Sequence, residues 1–395
     1  MHHDQSATAV TAPDTHDDTV PAALPGAEAD VAAPPAPVFS AHLPALLPAV
    51  PAARTVAVKA ADRELSAEAT TAIGRGVPEA TRAAYSGDWG RFERWCADKG
   101  RTALPATPET VAEYITHLTW GQGKAIGTAD RAMSSIRVMH GVAALPKPEL
   151  TGARKVLAGY ADHLARIGDP KAAPRRAAAA DLPALRAMLS VLDRATLVGK
   201  RDAALLLLGF KLAARESELV AMDLEHVTPH PQGMEVRLYR GKTRKLQELA
   251  VKFGKNDDTC PVRAFRAWAR ALAEHGRTSG PVFVRIDKHG NLAVAMTRHG
   301  RPIGDPAGRL TTRAIDPIIA SAARAAGLSP EDVEREFPHW SGHSLRRGFA
   351  TAAHHEGADM LKIGRAGGWE DGSKTLLGYI DEDGKWDPSP LDDLL

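Results

Sequence analysis

His343-Ser344-Leu345-Arg346-Arg347, with Gly367-Gly368-Trp369 and Gly378-Tyr379-Ile380 behind it, is the stretch on which the reading of this chain turns. His343 and Arg346 stand three residues apart, so on a helix they share one turn and one face. Gly367-Gly368 reads as a turn, without the strand and helix that a phosphate-binding glycine loop requires. The Trp369 indole can donate one hydrogen bond but cannot move a proton. Imidazole, by contrast, titrates near neutrality. Helices are expected to follow His343 and to continue to the C-terminus.

Reading upstream, Leu310-Thr311-Thr312-Arg313-Ala314-Ile315 opens a helix expected over Thr312–Ala326, and another is expected over Val262–Glu274. Before these, Met234, Val236 and Leu238 alternate with Glu235, Arg237 and Tyr239, and Leu249, Val251 and Phe253 alternate likewise. Period two on both sides of Arg240-Gly241-Lys242-Thr243-Arg244-Lys245 predicts a β-hairpin with a cationic tip. Ala214-Arg215-Glu216-Ser217-Glu218-Leu219 follows a strongly apolar helix expected from Asp202 to about Leu212, and Glu218 falls at the start of the next helix. Asp181 is the cap of the first helix in this half.

Residues 167–180 hold Pro170, Pro174, Lys171, Arg175 and Arg176 with no apolar rhythm, which predicts a basic linker. Four helices are expected in 75–166. In the first, Tyr85, Trp89, Phe92 and Cys96 form a stripe that stops at Gly100. Thr107 caps the second, with Pro108 at its first position and Val111, Tyr114, Ile115 and Leu118 inside. The third starts at Thr128 with Met133, Ile136 and either Val138 or Met139 inward, and the fourth covers Glu149 to Arg166. Trp89, Phe92 and Trp95, with Tyr85 and Tyr114, read as packing residues rather than stacking platforms.

The 395 residues, 44% of them hydrophobic and 25% charged, allow two packed domains with extensions. Residues 1–70, rich in Ala, Pro, Asp and Thr, are expected to form a disordered acidic arm. The first 50 residues contain six acids and no Lys or Arg, so a net charge of +2 overall leaves +8 on the remainder. A basic body points weakly to nucleic acid. Two cysteines, Cys96 and Cys260, are too few for a disulfide framework, so a reducing cytoplasm is expected. No run is long and apolar enough to predict a membrane span, and with no basic n-region ahead of the apolar stretch no signal peptide is expected. His339 and His343 could suggest a metal pair, but with no third ligand nearby no metal and no cofactor is expected.

These elements, in this order and spacing, resemble the tyrosine recombinase (integrase) family, and most closely its Cre-like branch. The resemblance covers about residues 75–385. It implies a mainly α fold with a small antiparallel β-sheet, arranged as a two-domain clamp on duplex DNA: a helical, SAM-like core-binding domain in 75–166 and a catalytic domain in 181–385. Metal-free cleavage of a phosphodiester needs a nucleophile, cations on the non-bridging oxygens and an acid for the leaving hydroxyl. By the resemblance, Tyr379 is the nucleophile, Arg215 and Arg346 bind the phosphate, and Glu218 is the acidic buttress. His343 bonds the phosphate and takes the tyrosine proton, and Trp369 positions. Lys242 is the general acid, with Lys245 the competing choice.

The same resemblance assigns base reading to Arg313 beside Thr312, and DNA contact to Thr128, Arg131 and Arg82. Lys171, Arg175, Arg176, Arg244 and Lys245 are the basic linker and hairpin contacts. The implied partner is double-stranded DNA with inverted-repeat half-sites, bound by a homotetramer that is monomeric when free; accessory proteins are left open. The implied location is the cytoplasm, at the nucleoid. Two departures stand out. Glu216 replaces an apolar residue and is expected to compete for Arg215. The interval from Trp369 to Tyr379 is one residue longer than the Cre-like pattern, with Gly372 as the expected place for the extra residue. The acidic tail, 386–395, carries Trp386, Leu391, Leu394 and Leu395, which fit docking on a neighbouring protomer. A catalytically silent DNA-binding regulator, and a telomere resolvase or type IB topoisomerase, are the rival readings.

Overall fold

The computed structural model describes residues 66, 68, 76, 79–174, 176–293, 296–328 and 339–381. The expected arm apart from Ser66 and Glu68, Arg175, and the tail 386–395 lie outside the described residues. The described residues from Glu79 onward belong to one compact unit.

Among the described residues the first long helices are α1 (Glu79–Asp98), α2 (Pro108–Thr116), α3 (Ile126–Val142) and α4 (Thr151–Arg166). Thr107 accepts the Thr110 N–H at 3.2 Å and Pro108 occupies the first turn, so α2 starts where its cap chemistry dictates. Helix α3 begins two residues ahead of the expected Thr128. Met139, not Val138, is the residue that packs inward; Val138 is exposed. Rings fill the middle: Phe92 and Tyr114 lie 4.9 Å apart and Trp95 and Tyr114 5.1 Å. Such tilted pairs add packing energy beyond their buried area.

The second core surrounds α6 (Leu197–Lys211), in which Ala203 to Leu208 are all buried. A helix that is apolar all round must be enclosed on all sides. Around it pack α5 (Leu182–Ser190), α8 (Pro261–Glu274) and α10 (Gly342–His355), and the short α7 (Glu216–Val220) follows it in the chain. Asp181 caps α5 by accepting the Ala184 N–H at 2.9 Å. The hairpin is β2 (Gly233–Arg240) paired with β3 (Lys245–Lys252), with Arg240 opposite Lys245 at the tip. It belongs to a three-stranded antiparallel sheet in the order β1-β2-β3. Strand β1 (Val227–His230) shows no alternation and carries Pro229, which an edge strand tolerates. A two-residue pair, β4 (Thr297–Arg298) and β5 (Arg301–Pro302), precedes α9 (Ile315–Ala325). The helix expected from Thr312 therefore opens with a 3-10 turn, Thr312–Ala314. After α10 come α11 (Met360–Gly367) and α12 (Lys374–Asp381).

The end of the expected linker is not open chain. Ala178 N–H donates to His339 O and Ala180 N–H to Ser344 O, both at 2.9 Å, so residues 177–180 lie along the start of α10. Among the described residues no helix is long and apolar enough to cross a membrane.

Candidate active site

Arg215 is the N-cap of α7 and Glu218 sits one turn in, the arrangement of a capping box. The Glu218 carboxylate accepts the Arg215 backbone N–H at 3.0 Å and its guanidinium at 2.6 Å. Arg240, the last inward position of β2, donates to the same carboxylate at 2.8 Å. Arg240 is 1% exposed, and its other donors go to the Leu212 and Ala366 carbonyls and to Gln247. Burial pushes the Glu218 pKa up, but the Arg215 N–H and the Arg240 guanidinium outweigh it, and the carboxyl ends below its ordinary value. The charges form a closed triad under the site, which holds Arg215 by one edge.

Arg346 projects from α10, where it is buried and donates to the carbonyls of Ala213 and Gly367. Its guanidinium lies 3.6 Å from the centroid of the Trp369 ring. A cation over an indole face is held by the ring quadrupole as well as by dispersion. This stacking needs glycine: a Cβ at Gly367 would fall 1.8 Å from the indole. Gly368 closes α11 in the left-handed conformation, φ +67. Arg346 Nη2 is buried with no hydrogen-bond partner among the described residues. Burial, reinforced by the charge of Arg215, lowers the Arg346 pKa to about 9, which still leaves it cationic at neutral pH.

Tyr379 lies on α12, edge-on to Trp369 at 6.2 Å. Arg347 stands 6.0 Å from its ring centroid, and Arg176 donates to the Gly378 carbonyl at 3.0 Å. The loop between Trp369 and α12 turns at Gly372, φ +75, the place expected for the extra residue. A cavity of about 190 Å³ is lined by Arg215, Lys242, His343, Arg346, Trp369 and Tyr379. Lys245 opens into a different hollow, beside Gln247 and Arg365. Arg244 is exposed on the hairpin turn.

A second cavity, of about 540 Å³, shares His343 and Tyr379 and is walled by Thr312, Arg313 and Arg176. Thr128, Arg131 and Lys171 line a third hollow with Arg176, of about 880 Å³, and Arg82 is exposed on α1. Arg131 differs from expectation in one respect. Its Nε donates to Asp88 at 2.7 Å, so the guanidinium is already engaged by the buried carboxylate.

The competition expected at Arg215 does not occur. Glu216 accepts from His343 Nδ1 at 2.9 Å instead, because adjacent residues at a helix start face different sides. Sequence reasoning also missed Arg240, which it placed with the exposed tip. The alternation Met234, Val236, Leu238 carries on to 240 and marks that position as inward. Among the described residues no three His, Cys, Asp or Glu side chains stand together to hold a metal.

Residues 184–385 match the model of the phage integrase family. The integrase/recombinase xerD homolog of Selenomonas ruminantium is 30% identical over 311 residues, 77% of this chain and 82% of that protein. Recombinase cre of Escherichia phage P1 is 24% identical over 296 residues, 72% of this chain and 79% of that one. Since the Xer-type relative is the more similar of the two, the Cre-like branch has only loose support. The fold is that of the lambda integrase tetramer solved on a Holliday junction, at TM-score 0.50 and 14% identity over 82% of this chain and 78% of that one. The chain belongs to the phage integrase family, the tyrosine recombinases.

Proposed function

We propose that this protein is a site-specific DNA recombinase that cuts and rejoins strands through a 3′-phosphotyrosine, without a metal, as a tetramer on two paired sites. The observation that carries this reading is the single cavity shared by Arg215, Lys242, His343, Arg346, Trp369 and Tyr379. Arg346 lines it, and its buried Nη2, with no partner among the described residues, is a donor that a non-bridging phosphate oxygen would satisfy once it reaches that edge. The Tyr379 oxygen attacks phosphorus and gives its proton to His343. Arg215 and Arg346 carry the negative charge that builds on the phosphorane. The P–O5′ bond breaks, and the leaving 5′-oxygen takes a proton from Lys242. Religation runs the same steps in reverse, so the bond energy stays in the phosphotyrosine.

The helical domain in 75–166, the linker 167–180 and the catalytic domain in 181–385 would close round a duplex with inverted-repeat half-sites. Arg313 would read bases, while Thr128, Lys171, Arg176 and Arg244 would contact backbone. The tail 386–395 would dock on a neighbouring protomer and couple its Tyr379 to the next. The setting would be the cytoplasm, at the nucleoid. The silent-regulator reading rested on Glu216 and the longer Trp369–Tyr379 interval disabling the site; Arg215 is bound by Glu218 rather than Glu216, which speaks against the first of these.

The test is a nicked suicide duplex whose half-sites are selected from a random pool by binding to Tyr379→Phe. Wild type is expected to give a covalent band on a denaturing gel with or without chelator, and Tyr379→Phe to bind equally but give none. A persistent band from Tyr379→Phe would move the nucleophile elsewhere.

A further inference from the structure

Two guanidiniums beside His343 create a difficulty for a general base. A proton arriving on the imidazole adds a cation to a cavity that already holds Arg215, Arg346 and Lys242. Both arginines disfavour that imidazolium. Something in the site must offset them.

We propose that Glu216 is the orienting carboxylate of His343: it fixes the imidazole as the Nδ1–H tautomer and leaves Nε2 as the atom that receives the Tyr379 proton. The inference rests on the proposed function and adds a positioning residue to it. The 2.9 Å contact joins His343 Nδ1 to Glu216 Oε1, and the Glu216 side chain is only 18% exposed. Glu218 has both oxygens occupied by Arg215 and Arg240, which leaves Glu216 without a claim on Arg215. Space for the contact is made by residue 342. A Cβ there would fall 2.3 Å from Glu216 Cγ and 2.6 Å from Oε1, so any side chain at 342 would push the carboxylate off the imidazole.

A free imidazole samples two tautomers, and a carboxylate on Nδ1 selects the one with its lone pair on Nε2. His343 and Tyr379 line both cavities together, so the tyrosine has access to that ring from the same space. When the phenol proton moves to Nε2, the imidazolium forms against the Glu216 carboxylate. On religation the proton returns to the tyrosine oxygen as the phosphotyrosine bond breaks.

The charge environment sets the sign of the pH effect. The hydrogen bond to Glu216 raises the His343 pKa; burial, Arg346 and Arg215 oppose it and do not cancel it. For Glu216, burial works upward, and the bond and charge of His343 bring the carboxyl below its ordinary value. Lys242 and Glu370 face the same cavity from the hairpin and the α11–α12 loop. On the other side stand Arg313 from the 3-10 turn before α9, Asp316 from α9, His339 and Arg176 from the segments joined at the Ala177–His339 bridge, and Arg347 from α10 itself. A base must be unprotonated to act, so cleavage falls as pH drops through the His343 pKa. With Glu216 neutralised that pKa is lower, and the fall moves to lower pH.

Single-turnover adduct formation on the selected suicide duplex, followed across pH, tests this. Glu216→Gln keeps an acceptor for Nδ1–H and loses the charge, so its acid limb is expected at lower pH than wild type. Glu216→Asp is expected to restore the limb toward the wild-type position. Glu216→Val loses acceptor and charge, and its plateau rate is expected to fall about tenfold or more. In a His343→Gln background, Glu216→Gln is expected to change the rate by less than about twofold, since coupled residues are not additive. An acid limb that stays in place in Glu216→Gln would overturn the dyad, as would an undiminished effect of Glu216→Gln without His343. If wild type forms no adduct on the selected duplex, the proposed function fails first, and the dyad with it.

Discussion

The helical module of α1 to α4 and the catalytic site both bury charge, but they treat it oppositely. In the module, buried Asp88 is matched by Arg91 and Arg131, and buried His140 accepts the Ala106 N–H at 2.8 Å while its other nitrogen bonds the Ile136 carbonyl at 2.7 Å. These groups are finished within the protein. Under the candidate active-site cavity, Glu218 and Arg240 form an equally closed pair, yet Arg346, held by two carbonyls and an indole, keeps a donor with no partner among the described residues. A buried unmatched donor costs stability in the absence of a ligand. The contrast therefore separates a scaffold whose charges are spent from a site whose charge is kept in reserve.

Removing Arg240 should have the largest effect. Arg240→Met leaves the Glu218 carboxylate buried against Arg215 alone, and losing one partner of a buried pair costs about 3–5 kcal/mol. Denaturant unfolding of the whole chain would measure it. A loss below about 1 kcal/mol would mean that solvent reaches Glu218 and the triad is not the closed floor described here. Next in size is the choice of lysine. Lys242→Ala should slow cleavage by about 100-fold or more, because the leaving oxygen loses its acid, whereas Lys245→Ala, facing a separate hollow, should change it little. A bridging 5′-phosphorothiolate, whose sulfur leaves without a proton, should restore Lys242→Ala. Failure of that rescue would assign Lys242 to phosphate binding instead.

What was legible in the sequence follows the same division. Helix starts are local chemistry, so Thr107 and Asp181 announced α2 and α5, and period two announced β2 and β3. Strand β1 was not legible because its four residues never alternate and one is proline. The candidate reactive residues came from the resemblance to the tyrosine recombinases, but their partners did not. Glu216 and Glu218 are both acids near an arginine; only the helix-start geometry tells that the residue three along reaches back to Arg215 while the neighbour turns to α10. Arg240 was hidden by its company, standing next to the exposed cations of the hairpin turn while obeying the inward parity of the strand. The pairing of α7 with α10, distant in sequence, is a tertiary fact that no local window contains.

The smallest effect is expected at Arg131. The resemblance placed this residue on DNA, while the structure places its guanidinium on Asp88. The side chain is half exposed and Asp88 retains Arg91, so Arg131→Gln should cost only about 1 kcal/mol of stability. If the charge is already spent, it releases no counterions from DNA, and the slope of log affinity against log salt should match wild type. Lys171→Ala, which removes an exposed linker cation, should instead reduce that slope by about 0.9. Titrating both variants against the selected duplex over a range of salt measures the two slopes side by side. Equal reductions would show that Arg131 leaves Asp88 for a phosphate on binding, and the module would then hold charge in reserve just as the catalytic site does.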